Sequence, residues 1–325
     1  MTASWAGMTG ELLFDQTPPF PRERLARRLR ELAAESIYIG TSSWKYEGWL
    51  GQVYSRHCYT VRGRFSQARF EASCLAEYAE TFPAVCGDFS FYQFPSPTYW
   101  HRLFASAPRS LLYAFKVPEE ITARVWPQHA RYGARAGLEN PRFLDPELFR
   151  TAFLDLLEPY REQVAVLIFE FGAFPKNTYQ DVSGFLQQLD PFLRALPAGY
   201  RYSVEVRNPE YLEPEYFGCL RSRGVAHVFN AWTRMPPMGV QLRIPGAITA
   251  DFLVARALLP RGTAYQQAVD TFAPYREIQE PQPQARQALK DMIAEARRMR
   301  HAAFLFVNNR LEGNAPGTIL AVVED

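Results

Sequence analysis

From residue 37 onward, short apolar runs alternate with longer stretches in which apolar residues recur every three or four positions. The runs lie at 37–40, 84–88, 112–117, 164–170, 202–206, 225–230, 252–256 and 302–308, and each reads as a strand. The stretches 70–81, 146–161, 180–195 and 284–300 read as helices between them. Alternation of strand and helix implies parallel pairing through crossover helices. Strands that are apolar almost throughout imply burial on both faces. Eight such units are what a closed α/β barrel of the (β/α)8 TIM type needs.

Two connections break the regular spacing. Residues 118–145 form an insert rich in Trp, Arg and Gly, and 232–250 form another rich in Pro and Met. Loops this long are uncommon unless they are functional or disordered. Upstream, Leu25, Leu29 and Leu32 recur at helical spacing among charges within 21–35, which predicts a surface helix capping the barrel bottom. Glu23, Glu31 and Glu35 interrupt its basic face and argue against a membrane or nucleic-acid helix. The expected organisation is an extension and capping helix over 1–36, beginning with a loosely ordered lead over 1–20, and one barrel over 37–325.

Composition narrows the picture. A chain of 325 residues with 47% hydrophobic residues can bury a large core as one unit. The 24 Phe and 17 Tyr make a rich aromatic content and suggest aromatic-lined loops or a ligand pocket as well as core. With 36 basic and 34 acidic residues the net charge is +2, which disfavours a general polyanion binder but allows a local basic cleft. Cys58, Cys74, Cys86 and Cys219 form no CxxC pair and fit no zinc framework. Reduced thiols in a cytoplasmic setting are expected. The first residues carry no basic and apolar signal pattern, and no run of 18 apolar residues exists, so neither a secretory signal nor a membrane span is expected.

The chemistry gathers at strand ends. The first strand runs into Gly40-Thr41-Ser42-Ser43-Trp44 and the second ends at Asp88, with Phe91-Tyr92 following. The third carries Lys116, the fourth ends at Glu170, and the fifth gives Glu205, Arg207 and Asn208. The sixth gives Asn230 and Trp232, the seventh Arg256, the eighth Asn308, Asn309 and Arg310. In a (β/α)8 barrel these ends share one mouth, where active sites sit. Glu170 and Glu205 could serve as general acid and base, and Lys116 as nucleophile or electrostatic clamp. An ion-pair lattice without catalysis would use the same residues.

An anion site is expected at Arg207, Arg256 and Arg310. It would be completed by the turn at Gly313, Pro316 and Gly317 and by the N-terminus of a closing helix. None of His57, His101, His129, His227 and His301 falls in an HxH or HExxH pattern, so no metal and no other cofactor is expected. Trp44, Tyr46, Trp49, Phe91, Tyr92, Trp100, Trp126 and Trp232 could give a stacking platform or simply pack the rim.

These residues carry a family resemblance. Gly40-Thr41-Ser42-Ser43-Trp44 with Tyr46 and Trp49, Phe91-Tyr92 with Pro95-Ser96, and Ala114-Phe115-Lys116 with Pro118 and Ile121-Thr122 resemble motifs of the DUF72 (YecE-like) family. Glu205-Val206-Arg207-Asn208-Pro209, then Asn308-Asn309 with Gly313 and Ala315, complete the series over nearly the whole chain. The resemblance implies a TIM-type barrel and no established activity. A suggested likeness of that family to the endonuclease IV and sugar isomerase barrels is fold-level analogy. The chain resembles a divergent branch. Cys86 and Asp88 stand where the family usually has Glu and Asn, and Glu170 stands for Gln. Asn208 replaces a frequent His, Leu258-Leu259 replaces His-Gly, and Gly317-Thr318 replaces Asn-Ala.

Three functions follow as expectations. One is an enzyme, hydrolase or isomerase, or a binding protein for a small phosphorylated or anionic molecule. The second is a nucleic-acid-processing barrel, disfavoured by the absent histidine ligands. The third is a non-catalytic binding protein that uses the two inserts.

Overall fold

The computed structural model describes residues 19–324; residues 1–18, which hold most of the expected lead, and Asp325 lie outside the described residues. Eight strands close into a barrel. They are β1 (Ile37–Thr41), β2 (Ala84–Gly87), β3 (Leu112–Lys116), β4 (Val164–Glu170), β5 (Tyr202–Glu205), β6 (Ala226–Ala231), β7 (Phe252–Ala257) and β8 (Ala302–Val307). Every neighbouring pair is parallel, and β1 pairs with both β2 and β8. Each apolar run of the sequence is one of these strands.

Period-two alternation explains the interior. Cys86, Ala114, Ile168, Val228, Val254 and Phe306 pack together inside the barrel. Ile39, Phe115, Leu167, Val204, Phe229 and Leu305 point outward into the core shared with the helices. One further alternation step brings Asp88, Lys116, Glu170, Asn230, Arg256 and Asn308 to the inner face at the C-terminal ends. On β5 the inner phase falls on odd numbers, and Glu170 stands beside Glu205 in the β4–β5 register. The opposite end is plugged by Tyr38 stacked on Phe304 at 5.4 Å, with Arg201 over the same Phe304 ring.

Barrel closure at β1 needs a glycine. Gly40 pairs with Ala84, and a Cβ at Gly40 would stand 1.8 Å from the Ala84 carbonyl oxygen. The Tyr78 hydroxyl donates to that same oxygen at 2.9 Å and accepts from the Thr41 amide at 3.1 Å.

The helices follow their sequence signals. Gln67–Thr81 is capped by Ser66, and Val182–Ala195 by Asp181, whose carboxylate accepts from the Gly184 amide at 3.1 Å. Pro283–Met299 is the longest. The helix expected over 146–161 has changing pitch: an α turn, a π turn at Arg150–Leu154, a second α turn, and a 3-10 turn that opens with Pro159. The helix Arg22–Ala34 buries Leu25, Leu29 and Leu32 as expected. Arg22 reaches Glu77 and Thr81, and Arg28 reaches the Val323 carbonyl, so it packs against the C-terminal ends of Gln67–Thr81 and Ala315–Val323, the ends that lie at the barrel bottom.

Candidate functional site

Six charged side chains from five strands meet at the C-terminal mouth. Lys116 places its ammonium 3.1 Å from Glu170 Oε2 and 4.0 Å from Asp88 Oδ1. Arg207 NH2 lies 3.0 Å from Glu170 Oε2 and 2.7 Å from Glu205 Oε1. Arg256 spans all three acids. Its NH1 donates to Glu205 Oε2 at 2.6 Å and to Glu170 Oε2, and its NH2 to Asp88 Oδ1 at 3.1 Å. Within this cluster three cations are matched by three carboxylates. Phe91 faces the Lys116 ammonium at 3.7 Å, and Trp232 stacks on the Arg207 guanidinium at 3.7 Å.

The members differ in what they leave open. Glu205 is fully buried, with a cation on each oxygen. It is a member of the lattice, with both oxygens turned to cations of the cluster. Lys116 is enclosed by two carboxylates and a ring face. Glu170 commits Oε2 to three cations, while its Oε1 has no partner among the described residues. Burial pushes its carboxyl up, but Arg207, Lys116 and Arg256 outweigh that and hold it well below the ordinary carboxylate range. Burial alone would lower Arg256, yet Glu205, Glu170 and Asp88 raise it well above its usual value.

Glu170 opens onto a cleft of about 370 Å3 between the 118–145 insert and the loop 172–178. The insert is folded. Asn140 Nδ2 donates to the carbonyls of Glu120 and Ala123, both at 2.8 Å, and a bridge joins Val125 to Glu139. Glu119 lines the same cleft, and its Oε2 accepts from the Tyr132 hydroxyl at 2.6 Å. Burial raises the Glu119 carboxyl above its ordinary value, against the pull of Tyr132 and Arg131. Sequence reasoning missed this residue. It opens the one-turn helix Glu119–Thr122 just past β3, and its only signal was a position three residues after Lys116.

The remaining expected binding residues take other places. Asn208 holds the far wall of the cleft: its Oδ1 accepts from the Phe174 amide at 2.7 Å and its Nδ2 donates to the Phe174 carbonyl at 3.0 Å. Asn308 caps the turn after β8 by accepting from the Arg310 amide at 3.0 Å. Asn309 Oδ1 accepts from Trp49 Nε1 at 3.2 Å and from the Ala315 amide at 2.8 Å. These three asparagines shape loops. Trp44 is buried edge-on to Phe89 and borders Glu71 and Tyr99 on the helical flank. Tyr92 is exposed, under the Arg131 guanidinium at 4.2 Å.

The expected anion cradle at Gly313 is filled by the protein itself. A Cβ at Gly313, where φ is +106°, would stand 2.7 Å from the Glu277 carbonyl oxygen. Asn314 Oδ1 caps the helix Ala315–Val323 through the Gly317 amide at 2.7 Å. The buried Glu312 takes the Thr318 hydroxyl at 2.7 Å and pairs with Arg286 at 2.9 Å. That helix start has acceptors of its own, and a carboxylate stands where the anion was expected.

Among the described residues, no group of three or more His, Cys, Asp or Glu side chains is placed to hold a metal ion, and no helix is long and apolar enough to cross a membrane. His227 is fully enclosed. Burial lowers its pKa to about 3, and its Nδ1 lies 3.2 Å from the Tyr216 hydroxyl, so it is a neutral core residue.

A closed eight-stranded parallel barrel with its charge gathered at the C-terminal mouth defines the class: a (β/α)8 barrel protein. Within that class the chain belongs to the family described as protein of unknown function DUF72, whose model matches residues 38–325. Solved structures agree on the fold. A DUF72 family protein from Thermotoga maritima MSB8 is 20% identical, with a TM-score of 0.58 over 88% of this chain and 97% of that one. One from Enterococcus faecalis V583 is 16% identical, with a TM-score of 0.55 over 89% and 96%. No curated protein matches significantly.

Proposed function

We propose that the barrel mouth binds a small polar molecule carrying an anionic group, and that Glu170 moves a proton on it. The observation that carries this reading is the division of labour within Glu170. One oxygen is held by Lys116, Arg207 and Arg256, while the other faces the cleft. A carboxylate fixed and kept ionised in this way is a base or an electrostatic stabiliser and does not serve as the acid. Glu119, on the insert side of the same cleft, is pushed in the opposite direction and is suited to donate. Two carboxyls whose surroundings drive them apart are the arrangement that assigns acid and base. The cleft volume suits a compact metabolite. Lys116, Glu205, Arg207 and Arg256 act as the frame that holds Glu170.

The test combines binding and exchange. Phosphorylated sugars and small organic acids are screened by thermal shift, since a ligand of the native state raises Tm. Hits are then incubated in D2O with the protein and followed by proton NMR. At least one compound is expected to raise Tm and to exchange a carbon-bound proton or react. Glu170→Gln should retain the Tm shift and lose about 100-fold or more of the rate, as expected for removal of a general base. A screen without hits, or an unchanged rate in Glu170→Gln, contradicts the proposal.

A further inference from the structure

One cation at the mouth has no carboxylate to balance it. Lys116, Arg207 and Arg256 are matched by Asp88, Glu170 and Glu205, whereas Arg310, after β8, forms no ion pair among the described residues. Its guanidinium lies over the Tyr265 ring at 4.3 Å, and its buried Nε has no acceptor. A half-buried cation left without an acid is costly unless something neutralises it.

Its neighbours are hydroxyl donors. The Tyr46 and Tyr275 rings meet edge-on, with centroids 5.4 Å apart. Burial pushes the Tyr46 phenol up to about 12 against the pull of Arg310, and raises Tyr275 against the same cation. Both phenols therefore keep their protons at neutral pH.

The three residues come from separate segments, and each is locked. The turn bearing Tyr46 sits so close to the Tyr275 segment that a Cβ at Gly48 would stand 1.9 Å from the Pro274 carbonyl oxygen. Trp49 Nε1 ties that turn to Asn309, and Asn308 fixes the Arg310 amide. The Tyr275 amide donates to the Phe272 carbonyl at 2.8 Å. Such a preassembled set needs little ordering on binding.

We propose that Arg310, Tyr46 and Tyr275 form an oxyanion subsite that takes the phosphate group of the ligand. It rests on the reading that the mouth receives a small anionic molecule, and it moves the anion contact from the Gly313 turn to Arg310. Arg310 supplies charge and a planar pair of donors, and the phenols supply two more donors. The subsite borders the ion cluster at Asp88, whose charge acts on the Tyr46 phenol.

Inorganic phosphate is the probe, titrated at neutral pH and low salt and followed by calorimetry and phosphorus NMR. The wild type is expected to bind one phosphate. Arg310→Met should weaken it about tenfold or more, the scale of a charge-assisted contact. Tyr46→Phe keeps the ring and removes one donor, and should weaken binding by a few-fold. Arg310→Lys should recover part of the loss. Circular dichroism melts confirm folding of each variant, and Tyr46→Phe decides the matter should Arg310→Met not fold. Absence of phosphate binding by the wild type overturns the proposal. Affinity unchanged in Arg310→Met and Tyr46→Phe, the mark of phosphate held elsewhere, overturns it equally. Failure of the acid–base reading would appear in the D2O exchange of Glu170→Gln, a different measurement.

Discussion

Arg256→Ala is expected to cost about 3–5 kcal/mol of stability, the range for removing one partner from a buried ion pair. Arg256 is 2% exposed and donates to Glu205, Glu170 and Asp88. Without it, Lys116 and Arg207 face three carboxylates, one of them wholly enclosed. For a chain of this size the loss corresponds to a Tm drop on the order of 10 °C. The double variant Arg256→Met/Glu205→Gln removes one charge of each sign and should melt above the single variant.

The pH dependence of the difference has a definite sign. Glu170 is held below its ordinary value, so its contribution is complete above the ordinary carboxylate range, near about pH 4.3, and is lost as pH falls through the depressed value. The gap between wild type and Arg256→Ala should therefore narrow in acid. Thermal melts followed by circular dichroism from neutral pH downward check this. A variant that melts with the wild type at neutral pH would show that the cluster is not a buried lattice.

Gly40→Ala is expected to cost more than about 3 kcal/mol, beyond the usual range for overpacking. The new methyl would fall 1.8 Å from the Ala84 carbonyl oxygen, and backbone cannot swing aside as a side chain can. Relief requires β1 and β2 to separate, which opens the barrel at one of the two seams that the first strand makes. Gly218→Ala is the control. Gly218 lies in the helix Pro214–Ser222, its Cβ would meet nothing within 4 Å, and the change should stabilise by about 0.5–1 kcal/mol. Expression, urea unfolding and near-ultraviolet circular dichroism separate the two. A Gly40→Ala protein as stable as the wild type would contradict the β1–β2 closure.

The barrel was legible because each strand is buried on both faces. Val164–Glu170 and Ala302–Val307 are apolar almost to the last residue, a pattern that an amphipathic surface helix does not give. The convergence of Asp88, Lys116, Glu170, Glu205, Arg207 and Arg256 was legible from topology, since all strand ends share one mouth. Which of them pair was not, because pairing depends on side-chain reach across the barrel. Arg256 on β7 bonds to acids on β4 and β5 and just past β2. Spacing along the chain carries no trace of that. The packing of the Gly313 turn by the protein itself has a readable reason. Asn314, two residues before Pro316, is an N-cap signal, and a capped helix start has already used its donors. Glu119 was missed because nothing in the spacing of the 118–145 insert shows which way its residues face. The carboxyl lies in the first turn beyond β3, where the fold of the insert decides what it faces.

The central claim is that Glu170 is an ionised carboxylate held by three cations and open on one side. Carbon-13 NMR of protein labelled at the glutamate side-chain carboxyl, with Glu170 assigned by its absence in Glu170→Gln, reads this directly. The expected resonance stays at the position of a carboxylate while the solvent-exposed glutamates titrate, and moves only as the protein unfolds in acid. A midpoint at the ordinary glutamate value, with the protein still folded, would contradict it.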